Sequence, residues 1–203
     1  MDLKRFNEDA KKKSAENKKF LQGLKKKDAR KVDDLFHTAH DAVFEEVDCL
    51  TCANCCKTTS PIFYPTDIER VAKALRMKPG DFTEKYLRID EDKDYVLKSS
   101  PCPFLDEDNY CKVYDDRPKA CREYPHTNRK KMVQIMELTH KNTLVCPAVF
   151  EMVERLKLII KWSISRLANG IKNKSQRNLH WLICILANLL IRPVLLISDS
   201  IQI

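Results

Sequence analysis

Four thiols crowd into eight residues, Cys49-x-x-Cys52-x-x-Cys55-Cys56, and four more follow singly at Cys102, Cys111, Cys121 and Cys146. Thiolates are soft donors that bind zinc and iron–sulfur clusters tightly. Eight sulfurs make two complete tetrahedral sets, or one cluster with thiols to spare. Cys49, Cys52 and Cys55 keep the C-x2-C-x2-C rhythm of bacterial ferredoxins, but the fourth cysteine is adjacent, at Cys56. Neighbouring side chains diverge, so Cys55 and Cys56 are expected to serve different centres, or one of them not to ligate. Cys102-Pro103 and Cys146-Pro147 are Cys-Pro pairs like those beside ferredoxin clusters. The run Cys102-x8-Cys111-x9-Cys121 holds no second Cys-x-x-Cys, which fits a paired-knuckle zinc ribbon poorly. The eight thiols are read as metal ligands, with an iron–sulfur cluster favoured over zinc. Their grouping is left open by the spacing.

Other residues near the thiols carry weaker signals. His37 and His40 lie three apart on one helix and can reach a metal, but surface or packing roles are the more common use of such a pair. His126 and His140 are no stronger. Arg117 and Arg122 flank Cys121, where a guanidinium can offset thiolate charge or pair with Asp115, Asp116 or Glu123. Tyr114 and Tyr124 are read as core aromatics.

The elements that must position these groups are mostly helical. Val32, Leu35, Phe36, Ala39, Val43, Phe44 and Val47 recur at three- and four-residue steps, predicting a helix over 31–48 that ends just before Cys49. Ile62-Phe63-Tyr64 and Tyr95-Val96-Leu97 read as short strands. Thr66 and Glu69 suggest a capping box ahead of a helix lined by Ile68, Val71, Ala72 and Leu75. A second short helix follows from Asp81 to Arg88. The turn at Asp106 to Asn109 gives a hairpin-like pattern holding Cys102 and Cys111. Pro118 opens a short helix carrying Cys121, and Met132 to Met136 reads as a strand. Cys146-Pro147 starts a helix running to about Lys161, with proline at a first-turn position where its missing amide does no harm.

These elements predict a mainly α fold with small β elements (α+β), a compact cysteine-rich domain centred on metal. The 203 residues include only 3 Gly, which argues against a β fold of many tight turns. The division expected is a Lys-rich helical arm over 1–30, the cysteine-rich metal-binding domain over 31–165, and a basic then apolar tail over 166–203. Of the net charge of +8, residues 1–31 hold +7, from twelve basic against five acidic residues. Such an arm can bind nucleic acid; a solvated helix with an apolar seam of Leu3, Phe6, Ala10, Phe20, Leu21 and Leu24 is the preferred reading. In the tail, Arg192-Pro193 interrupts the apolar stretch from Leu179 to Ile197, so the uninterrupted run is too short for a membrane span. The tail is read as a helix packed on the domain, an interfacial membrane anchor, or sequence foreign to the functional domain. Cys184 within it reads as a buried small hydrophobe. The charged N-terminus has no secretory h-region, which places the chain in the cytoplasm and favours reduced, metal-binding thiols over a disulfide framework.

The blocks Cys49-x-x-Cys52-x-x-Cys55-Cys56, Cys102-Pro103-Phe104-Leu105, Cys111-x-x-Tyr114-x-x-Arg117-Pro118-x-x-Cys121-Arg122-x-Tyr124-Pro125 and Cys146-Pro147 resemble the CxxCxxCC family of bacterial zinc- or iron-chelating proteins. The resemblance runs from about Asp48 to Phe150. It departs at Ala53-Asn54, where the family often has glycine, and at Tyr124, where it usually has Phe; neither change touches a thiol. What it implies is metal binding. A related cysteine-rich domain in flagellin lysine methylases raises the alternative of a cluster-dependent group transferase using S-adenosylmethionine. The scarcity of glycine excludes a Rossmann-type methyltransferase domain in this chain.

Overall fold

Three of the first helices begin the same way, with an aspartate side chain accepting a free first-turn amide. Asp2 takes the amides of Lys4 and Arg5 at 2.9 and 3.1 Å, Asp28 that of Lys31 at 3.0 Å, and Asp48 that of Leu50 at 2.9 Å. They open α1 (Leu3–Leu24), α2 (Ala29–Phe44) and α3 (Cys49–Cys52). The computed structural model describes residues 2–170, with side chains to 162. The readings of the tail beyond 170, including Cys184 and the apolar stretch from Leu179 to Ile197, lie outside the described residues.

The rest of the chain follows as α4 (Asn54–Thr58), β1 (Ile62–Phe63), α5 (Pro65–Ala74), α6 (Pro79–Tyr86), β2 (Leu87–Ile89), β3 (Tyr95–Leu97), α7 (Lys119–Glu123), a 3₁₀ turn (Met132–Ile135), α8 (Met136–Thr143) and α9 (Pro147–Gly170). The fold is mainly α, with one small antiparallel sheet of order β1-β3-β2, in register Ile62 to Val96 and Leu87 to Leu97.

The apolar seam of α1 is buried at Phe6, Ala10, Leu21 and Leu24 while most of its lysines stay exposed. That seam packs on α8, and the ring of Phe6 meets Phe150 of α9 edge-on at 5.8 Å. Glu154 of α9 is held by Lys13 at 2.8 Å and by Lys157 at 2.7 Å. On α2, Val32, Phe36, Ala39 and Val43 are buried at the helical spacing the sequence predicts. A second core lies under the sheet, where Phe82 is fully buried among Phe63, Tyr86 and Phe104 at ring separations of 5.9, 5.3 and 6.0 Å. Cys102 and Cys111 pack on its edge.

Three expectations are corrected. Met132 to Met136 is not a strand: Asp33 of α2 accepts the amides of Lys131 and Met132 at 2.7 and 2.8 Å, and this cross-chain cap starts a 3₁₀ turn that runs into α8. The helix expected to be capped by Thr66 begins earlier. Pro65 is its first residue, and the Asp67 carboxylate accepts the Tyr64 amide at 3.1 Å. The helix expected over Asp81 to Arg88 ends at Tyr86, and Leu87 leads into β2.

Candidate metal centre

The eight thiols arrive on four segments that the folding of both cores brings together. The first run comes from the end of α2 through α3 and α4. Ala53 joins these two short helices with φ at 48°, a left-handed conformation that favours glycine. Cys55 and Cys56 both lie on α4, where successive residues are rotated by about 100°.

Cys102 is tied to this run by its own amide, which donates to the Cys56 carbonyl at 2.8 Å. The turn after it closes as a narrow hairpin: Leu105 bridges Cys111, and the Lys112 amide donates to the Phe104 carbonyl at 2.8 Å. Cys121 rides on α7, whose Lys119 amide is held by Asp67 at 3.2 Å. Arg70 braces the approach, with Nε donating to the Asp116 carbonyl at 3.1 Å and Nη2 to the Arg117 carbonyl at 3.0 Å. Cys146 stands at the start of α9, with its amide on the Asn142 carbonyl at 2.8 Å. The buried Asn54 side chain donates to the Val145 carbonyl at 2.6 Å, locking the first thiol run to the last.

All eight cysteines are free thiols; Cys146 is buried and Cys49 is the exposed one. Burial pushes Cys102 and Cys146 up to about 11 and Cys121 to about 12, and neighbouring sulfurs push the same way. Backbone amides oppose this. Those of Phe104 and Leu105 turn to Cys102, that of Val113 to Cys111, and those of Ala148 and Val149 to Cys146. At Cys146 these are first-turn amides of α9, which have no carbonyl one turn back to donate to. The Cys55 and Cys56 sulfurs lie 3.9 Å apart, close enough to share a proton, and Lys57 and Arg117 favour the charged form of Cys56.

This donor set fits a thiophilic metal. A cation is the missing partner that lets crowded, half-buried sulfurs lose their protons together, and amides aimed at sulfur are the usual support of bound thiolates. The sulfurs are gathered but not closed: among the described residues no three Cys, His, Asp or Glu side chains stand in ligating geometry.

The flanking residues resolve into plainer roles. The His37 ring contacts the Arg129 carbonyl at 3.0 Å, and His40 Nδ1 contacts the buried Thr127 hydroxyl at 2.7 Å, so both histidines hold α2 to the loop before the 3₁₀ turn. His140 meets Ser14 of α1 at 3.1 Å. Arg117 lies over the Tyr114 ring at 3.7 Å and donates to the Tyr114 carbonyl at 2.9 Å, so Tyr114, 43% exposed, is a platform for Arg117 and not a core residue. Arg122 is exposed.

Tyr124 is the residue that sequence reasoning undervalued. It lines a cavity of about 40 Å³ with Cys49, Cys52, Cys55 and Cys146. Its hydroxyl is buried without a hydrogen-bond partner.

No helix among the described residues is long and apolar enough to cross a membrane. No curated protein and no solved structure matches the chain. A family model does match, over the stretch that carries all eight of these thiols: residues 48–147 match the CxxCxxCC family, described as a zinc- or iron-chelating domain.

Proposed function

We propose that the protein binds its metal through the thiolates of Cys49, Cys52, Cys55, Cys56, Cys102, Cys111, Cys121 and Cys146, and that the metal is held as iron–sulfur in preference to zinc. The observation that carries this is the amide pattern: the Cys102–Cys111 hairpin and Cys146, which arrive from two separate segments, have backbone N–H groups beside their sulfurs that oppose the effect of burial. Such donors stabilise a thiolate and not a thiol. The preference for iron–sulfur rests on the C-x2-C-x2-C rhythm together with the remote Cys146-Pro147, where proline shapes the chain beside the sulfur.

The test is metal and acid-labile sulfide content, with a visible absorption spectrum, on protein purified without oxygen. Iron with matching sulfide and a brown colour supports the cluster. Stoichiometric zinc in a colourless protein keeps the chelating role and overturns the cluster. A chain free of both overturns the reading altogether.

A further inference from the structure

The eight sulfurs do not surround one point. Cys49, Cys52, Cys55 and Cys146 line a single cavity with Tyr124, between the start of α9 and the α3–α4 corner. The other four do not line it. The Cys102 amide hangs from the Cys56 carbonyl, Cys102 and Cys111 share one hairpin on the edge of the sheet core, and α7 brings Cys121 to them from its anchor on α5. The two groups meet at α4, where the Cys55 and Cys56 sulfurs lie 3.9 Å apart.

The geometry points to two four-sulfur metal centres set side by side, one built from Cys49, Cys52, Cys55 and Cys146 and the other from Cys56, Cys102, Cys111 and Cys121. This rests on the chelating role proposed above and holds for either metal. The 3.9 Å between Cys55 and Cys56 on its own fits two sulfurs of one tetrahedral ion, for which bonds of about 2.3 Å set sulfurs about 3.8 Å apart. The other neighbours of each sulfur decide against it. Cys55 shares its cavity with Cys146, whereas Cys56 is tied through its carbonyl to the Cys102 amide.

The two centres differ in support. The first hangs on Asn54, Asn142 and the start of α9; the second is fixed to the sheet core and to α7. They are therefore separable by mutation. The experiment uses the full chain purified without oxygen, with metal content by mass spectrometry and iodoacetamide alkylation mapped peptide by peptide. Cys146→Ser is expected to halve the metal content and expose Cys49, Cys52 and Cys55 to alkylation while Cys56, Cys102, Cys111 and Cys121 stay protected. Cys121→Ser is expected to do the reverse, and the double variant to lose all metal. A single variant that loses all of its metal while its helical circular dichroism is unchanged, or that loses none, overturns the division.

The wild-type chain gives a second reading that needs no variant. Under limiting chelator, one set of four thiols is expected to become alkylated before the other. Simultaneous exposure of all eight, with metal lost in one step, overturns the division and leaves metal binding standing. A wild-type chain without metal, alkylated at all eight positions from the start, overturns the chelating role itself.

Discussion

Asp67 is the buried charge that ties the cysteine hairpin side of the molecule to its scaffold, and replacing it with asparagine tests that reasoning. The carboxylate is 2% exposed and takes three donors with two oxygens: Arg70 Nη2 and the Lys119 amide at Oδ1, and the Tyr64 amide at Oδ2. An asparagine side chain would match its shape but has one acceptor oxygen, so at least one donor would face an amide nitrogen. An unsatisfied buried donor costs about 1–3 kcal/mol, and the charge assistance to Arg70 is lost as well. Set against this, Arg70 is 28% exposed on its side chain and keeps the Asp116 and Arg117 carbonyls. The expected loss is therefore about 3 kcal/mol, the lower end of what breaking a buried pair costs. With a urea dependence of about 1–3 kcal/mol per molar, the midpoint of the metal-loaded protein falls by about 1–3 M.

The acid dependence gives an independent check. Burial alone would raise the Asp67 carboxyl, but hydrogen bonds from Arg70 and the two amides outweigh it and hold the group below the usual carboxylate range. Its folded value is thus depressed relative to about 3.9 in the unfolded chain. The stabilisation is complete above that unfolded value and is lost as the pH falls through the folded one. Asp67→Asn has no such group, so the gap between the two proteins is expected to narrow below about pH 4. A midpoint shift under about 0.3 M, or a gap unchanged down to pH 3, would refute the argument. Hydrogen exchange over Lys119–Glu123 is expected to rise in the variant, because that amide anchors the helix carrying Cys121.

Three further outcomes follow from the same structure. Phe82→Ala empties the centre of the sheet core and is expected to cost about 3–5 kcal/mol, read as a lowered denaturant midpoint with the loss concentrated around the Cys102–Cys111 hairpin. Tyr124→Phe removes the one hydroxyl that lines the Cys146 cavity and has no partner inside the protein; metal transfer to a competing chelator from that half is expected to quicken about tenfold, with total metal content unchanged. Stripping the metal under reducing conditions is expected to raise hydrogen exchange first over residues 49–58 and 100–121, whose segments are short and loop-rich, while α1, α2 and α8 keep their protection through their own apolar contacts.

The parts of this molecule that are periodic were readable in advance. The seam of α1, the buried face of α2, the strand at Tyr95–Leu97 and the proline-led start of α9 all announce themselves through spacing alone. What failed was decided across the chain. Met-Val-Gln-Ile-Met alternates like a strand, yet Asp33, 99 residues before Met132, supplies the cap that turns it into a 3₁₀ start. The cap of α5 moved because proline can occupy the first turn without an amide, which left Tyr64 to present its own to Asp67. His37 and His40 have a ligand-like spacing but spend their ring nitrogens on the loop at Thr127 and Arg129.

Spacing nominates the eight thiols but not their grouping, and the reason is physical. Spacing counts residues along a chain, whereas a tetrahedral site counts directions around a point. The sequence offers two distant Cys-Pro pairs, at Cys102 and Cys146, and does not choose between them as partners of the first run. Nothing in the pattern says which way Cys56 turns. What ties Cys56 to the hairpin is its carbonyl, which holds the Cys102 amide. The buried Asn54 next to Cys55 does the complementary task, reaching 91 residues along the chain to Val145 and so delivering Cys146 to the other side. An asparagine and a carbonyl, neither of them a ligand, thereby sort eight equivalent sulfurs into two sets, and a residue so placed leaves no mark that a cysteine count can find.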